Sequence, residues 1–147
     1  MAIKASTGLR NQLMDTGSLK GALDDGFINI YAGTVPATAD AAVGAATLLC
    51  TISVNSTGTG ITFDSAASGG VISKAPGEVW SGVNAATGTA AWYRHVGDSD
   101  DGTLATDQPR LQGLVGVSGA DLNLSSVSLT SGATQTVDFY SVALPTL

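Results

Sequence analysis

Apolar positions in this chain follow two spacings. Up to residue 26 they recur every three or four positions, and from Phe27 onward they come in short runs cut by glycine, proline and asparagine. In the first part, Ser6 or Thr7 can cap a short helix bearing Leu9, Leu13 and Met14, stopped by Gly17. Ser18 can cap a second turn bearing Leu19 and Leu23, stopped by Asp24-Asp25-Gly26. Leu9/Leu13 and Leu19/Leu23 are i, i+4 pairs, so each piece offers one narrow apolar edge. Neither helix is long enough to stand alone. The four leucines must dock, either on the chain's own β domain or on a neighbour, and a clamp onto a neighbour is the preferred expectation.

The second part reads as strands: Phe27–Tyr31, Thr47–Val54, Ile61–Phe63, Val71–Lys74, Glu78–Ser81, Thr89–Val96 and Pro109–Val117. In Thr47–Val54, Leu48, Cys50, Ile52 and Val54 alternate with Leu49, Thr51 and Ser53. In the strand that ends at Val96, alternation sends Trp92, Arg94 and Val96 one way and Tyr93 and His95 the other. The Ala-rich stretch Ala37 to Ala46 has no period and is expected to be a loop, as is the polar run Gly97 to Asp107. At the C-terminus two apolar runs flank Ser131-Gly132-Ala133, which suggests a hairpin over 120–144. Its expected register sets Thr130 opposite Thr134, Val127 opposite Val137, Leu124 opposite Tyr140 and Leu122 opposite Val142. The expected fold is an all-β antiparallel sandwich or jelly roll of about eight or nine short strands. Residues 1–26 form a helical arm on it, and 27–147 a single β domain.

Composition narrows the function. Only 12% of residues are charged, against 44% hydrophobic, and there are 19 glycines. Such a neutral, polar surface tolerates close packing against other protein copies, and equally suits a small soluble β domain. With a net charge of −6 and six scattered basic residues, no basic stripe exists to engage phosphates, so direct nucleic-acid binding is not expected. No apolar run approaches the roughly 20 residues of a membrane span, and the first residues lack the apolar stretch of a signal peptide. Synthesis in a cytoplasm is the expectation.

No residue set points to catalysis. His95 has no nucleophile motif to serve, so packing beside Tyr93 is its expected use. Cys50 sits among apolar neighbours with no basic residue near it in sequence, as a small buried hydrophobe does. Asp98-Ser99-Asp100-Asp101-Gly102 places its glycine one position too early for an EF-hand and puts Pro109 where the glutamate belongs. A solvated acidic loop is expected there, with a calcium site of another type as the alternative. Trp80, Trp92, Tyr93, Phe139 and Tyr140 are assigned to the core rather than to a sugar-stacking platform. No zinc pattern, phosphate loop or glycosidase pair stands out, and no cofactor is expected.

Three stretches taken together resemble small structural proteins of tailed-bacteriophage virions. They are Ser6-Thr7-Gly8-Leu9-Arg10-Asn11 continuing to Phe27-Ile28-Asn29-Ile30-Tyr31-Ala32-Gly33, Val79-Trp80-Ser81-Gly82 with Ala91-Trp92-Tyr93-Arg94, and Ala120 to Val142. Within that group the chain looks most like capsid decoration, or cement, proteins. The resemblance implies a non-enzymatic protein on the capsid surface of the virion, with the major capsid protein as partner and a homo-oligomeric state. Leu9, Leu13, Leu19 and Leu23 are then the candidate capsid or self-association contacts. A tail or connector component, or a carbohydrate-binding β-sandwich, is the alternative.

Overall fold

The computed structural model describes residues 3–15 and 17–146. The chain is an all-β antiparallel sandwich with a short helical N-terminal segment, 38% strand and 9% helix. The elements run in order as β1 (Lys4–Ala5), α1 (Thr7–Met14), α2 (Leu19–Leu23), β2 (Phe27–Ala32), β3 (Thr47–Val54), β4 (Val71–Ser73), β5 (Trp80–Val83) and β6 (Gly88–Thr89). There follow β7 (Trp92–Val96), β8 (Arg110–Gly116), β9 (Leu122–Asn123), β10 (Ser128–Leu129), β11 (Thr134–Val137) and β12 (Ser141–Ala143). The main sheet has the order β1-β8-β7-β2-β3-β5-β11, with β9 parallel beside β8. Two small pairs, β6–β10 and β4–β12, complete the set.

Register divides the main sheet into two faces. Ile28 lies between Ile52 and His95, and Ile30 between Cys50 and Tyr93, with Leu111 beyond His95. That face is apolar and shares one core with Leu122, Leu124, Leu129, Val137, Tyr140 and Val142. The opposite face carries a row across five strands: Thr51, Asn29, Arg94, Gln112 and Lys4. The strict alternation expected along β3 fails at one point. A register shift at Ile30/Tyr31 skips Leu49, so Leu49 and Cys50 are both buried while Leu48 is exposed. The bulge serves the core twice in succession.

The C-terminal hairpin expected over 120–144 does not form. Each of its strands pairs elsewhere: β9 with β8, β10 with β6, β11 with β5 and β12 with β4. The cause lies at the connector. Asn84 donates its backbone N–H to Ala133 O (2.8 Å) and accepts from Gly132 N (2.8 Å), and its Nδ2 donates to Thr130 O (3.1 Å). Those are groups a hairpin would need for itself. Segment 80–89 instead runs antiparallel to 128–137 in one continuous register, from Trp80 opposite Val137 to Thr89 opposite Ser128. The apolar residues matched in the expected register do share one core, but not as cross-strand partners.

The N-terminal segment is part of the domain. Ser6 caps α1 by accepting from Leu9 N (3.1 Å), as expected, but the same hydroxyl donates to Gln108 O (2.7 Å) and accepts from Arg110 N (2.9 Å). Asp40 accepts from Thr7 N and Oγ1 (2.7 and 2.6 Å), which ties the helix start to a distant loop. A Cβ at Gly8 would lie 2.4 Å from the backbone of Asp107, so only glycine allows α1 to sit this close. Ser18 caps α2 through Gly21 N (2.9 Å). Leu9 and Leu23 are fully buried in the chain's own core, and Leu13 and Leu19 pack half-buried against it. This corrects the clamp expectation: Leu9 and Leu23 have no surface left for a neighbour. Met1, Ala2, Thr16 and Leu147 lie outside the described residues.

Candidate functional site

The largest chemical surprise is on the polar face of the main sheet, where Arg94, Arg110 and Gln112 are buried although Thr51 and Lys4, at the two ends of the row, are exposed. Arg110 and Asp100 pair with side chains 0% and 1% exposed. Arg110 Nε and Nη2 both donate to the carboxylate, the latter at 2.8 Å. The rest of the guanidinium donates to backbone carbonyls: Nη1 to Ala39 and Asp40 (both 3.2 Å) and Nη2 to Thr103 (2.7 Å). Beside it, Arg94 Nε and Nη2 donate to Gln112 Oε1 (3.1 and 2.6 Å), and Nη1 donates to Ala41 O (3.0 Å). Gln112 Nε2 donates to Pro36 O (2.9 Å), and Lys4 Nζ to Ala37 O (2.8 Å). The period-free segment 36–41 is therefore held by its carbonyls, which every residue carries. Burial, and then the like charge of Arg110, lowers the pKa of Arg94. Each guanidinium is committed to these partners, so the layer reads as a structural lock and not as a binding site.

One expectation changes here. Asp100 is not part of a solvated loop, because it neutralises Arg110 beneath 97–107. Asp101 bonds Thr103 N and Oγ1 (3.0 and 2.7 Å), and among the described residues no acidic, histidine or cysteine cluster gathers that could hold a metal. Sequence reasoning missed Arg94, Arg110 and Gln112 as buried polar groups. The available signal was Arg94 in Trp92-Tyr93-Arg94-His95-Val96, where apolar residues on both parities announce a strand covered on both sides.

The apolar face holds His95 among Phe63, Trp80 and Tyr140, with ring centroids 5.4, 6.4 and 5.7 Å away. Its Nε2 bonds Leu23 O at 3.2 Å, and Nδ1 has no partner among the described residues. Burial holds its pKa down at about 4, from 6.5. A neutral histidine in the folded state, against a protonated one in the unfolded chain, makes stability fall as pH drops from 6.5 to 4. The expected loss from this group is about 3 kcal/mol. Urea unfolding of the parent and of His95→Gln at pH 7 and pH 4.5 checks it, and parallel profiles would refute it. Cys50 is buried beside this face, and burial pushes its thiol up to about 11, which leaves it protonated and inert.

The outer face of the β4–β12 pair is different in kind. Ser141 lies opposite Ser73 and Ala143 opposite Val71, a neutral row of small side chains. At its end Phe139 is 87% exposed, while its neighbour Tyr140 is buried in the aromatic cluster. Phe139 stands between two clefts of about 440 and 350 Å³. One is bounded by Ile3, Asp121 and Asn123, the other by Lys74, Pro76 and Asp138. Val71 on β4 and Leu144 just past β12 are also exposed. The core assignment made for Phe139 is thus corrected: in the irregular step that leads into β12, Tyr140 turns into the core while Asp138 and Phe139 face out. The same assignment holds for Trp80, Trp92, Tyr93 and Tyr140, all buried.

The four leucines expected as contacts do not converge on this face; Leu19 lines a groove beside Ile72 and Leu144, and Leu13 a separate one beside Arg10 and Met14. No protein-family model matches the chain, and comparison with curated proteins and with solved structures likewise found no match.

Proposed function

We propose that this chain is a non-enzymatic structural protein of a tailed-phage virion, which binds the outside of the capsid as a homo-oligomer and cements neighbouring major capsid subunits. The observation that carries the reading is Phe139, a large apolar side chain left 87% exposed on a neutral strand pair. A domain that buries both tryptophans and all three tyrosines yet presents this phenylalanine has an adhesive face. The resemblance of the three stretches to virion proteins supplies the partner. The surface is poorer still in charge than the sequence suggests, since Arg94, Arg110 and Asp100 are all buried. The contact face moves accordingly from the N-terminal leucines to β4 and β12.

The test is Phe139→Ser. Melting behaviour should stay near that of the parent, because the side chain packs on little of its own domain. Affinity for undecorated heads should drop about ten- to a hundredfold, the equivalent of one buried phenylalanine. Unchanged binding to heads, or label found on tails in negative stain, would refute the reading. A sugar-binding role is disfavoured by the burial of Trp80 and Trp92, which leaves no tryptophan to stack on a ring.

A further inference from the structure

The larger cleft beside Phe139 has a strand edge on each of two walls. Flanking β12, Tyr140 O accepts from Lys74 N (2.8 Å) and Leu144 N donates to Gly70 O (2.9 Å), so the even-numbered residues hold the β4 side. Backbone groups alternate between the two edges of a strand, and Ser141 and Ala143 therefore turn their N–H and C=O groups away from β4. Those residues line the larger cleft. On the other wall, Leu124 N donates to Gly116 O (2.8 Å) and Leu122 pairs with Val115. Asn123 between them faces its amide and carbonyl away from β8. Its side chain closes locally, Oδ1 accepting from Ala120 N at 3.0 Å. Among the described residues none of these cleft-facing backbone groups has a backbone partner.

We infer that this cleft receives an extended segment of the partner protein, which adds as a strand between β9 and β12. The inference rests on the docking role proposed above and names its chemistry. An extended backbone offers N–H and C=O pairs on both of its edges at the same two-residue repeat as the walls, which no compact ligand does. Asp121 on the β9 wall and a net charge of −6 favour a neutral or basic segment over an acidic one. Phe139, at the cleft's rim, then covers the added strand.

The probe is a capped heptapeptide of alternating valine and threonine with one lysine, titrated into the full chain and followed by amide NMR and hydrogen exchange. Shifts and slowed exchange at Asn123, Ser141 and Ala143 are expected. Ala143→Pro removes one cleft-facing N–H and no β4 bond, a position where an edge strand tolerates proline. It should keep the parent's melting temperature and bind the peptide at least tenfold more weakly. The peptide arm on the parent chain stands on its own if that variant misfolds. Absence of these shifts, or equal binding by a folded Ala143→Pro, overturns strand addition. Should Phe139→Ser fail to coat heads while Ala143→Pro coats them normally, strand addition falls and the docking face stands. Should both variants coat heads normally while the peptide still shifts Asn123 and Ser141, the strand site stands and the capsid reading falls.

Discussion

Replacing Arg110 with alanine should cost about 3–5 kcal/mol of folding stability, read as a lowered midpoint in urea at constant slope. The loss comes less from the missing attraction than from what remains. Asp100 would keep a buried carboxylate with no counter-charge, and the carbonyls of Ala39, Asp40 and Thr103 would lose their donor. Asp100→Asn should also destabilise, because it strands the guanidinium instead. Asp98→Asn, in the same acidic run, should be close to neutral. That contrast separates a buried pair from a solvated loop, for which all the aspartates would behave alike. A cost below about 1 kcal/mol for Arg110→Ala, the range of surface pairs, would show the pair to be solvated in solution.

Deleting residues 1–20 should abolish the folded state. The cut removes Leu9 from the core, strips β1 from the edge of β8, and frees Gln108 O and Arg110 N from Ser6. Leu9→Ala alone should cost about 2–5 kcal/mol, a large share of the 5–15 kcal/mol typical of a domain. The truncated chain should therefore be insoluble, or lack near-ultraviolet circular dichroism and dispersed amide resonances. A truncated protein with parent-like melting would return the N-terminal helices to the role of a detachable clamp.

The parts of the fold legible in the sequence are those set by local chemistry. Ser6 and Ser18 announce both helix caps, and Thr47–Val54 and Trp92–Val96 declare themselves by apolar content and turn residues. Partner choice was not legible. The 120–144 stretch satisfies every local rule for a hairpin, yet Asn84, distant in sequence, takes up the connector's hydrogen bonds. Segment 36–41 shows no pattern because its anchors are peptide carbonyls, which leave no mark on residue identity. Phe139 lies in a run whose apolar residues occupy both parities, so exposure there depended on a register set by β4.

The continuous register between 80–89 and 128–137 bears on how the protein is made. Of the pairings in the main sheet, β1 with β8 joins residues more than a hundred positions apart, and the 80–89 segment waits for strands about fifty positions downstream. A chain emerging from the ribosome can pair β2 with β3 early, but its β1 edge must wait for β8 at residues 110–116 and its β11 edge for residues 134–137. Topologies of this kind fold slowly, because long loops must be ordered before their contacts form. Until then β5 presents an open edge to other nascent chains. Crowded synthesis of many copies would favour intermolecular pairing at β5, and slower translation or lower temperature should raise the soluble yield.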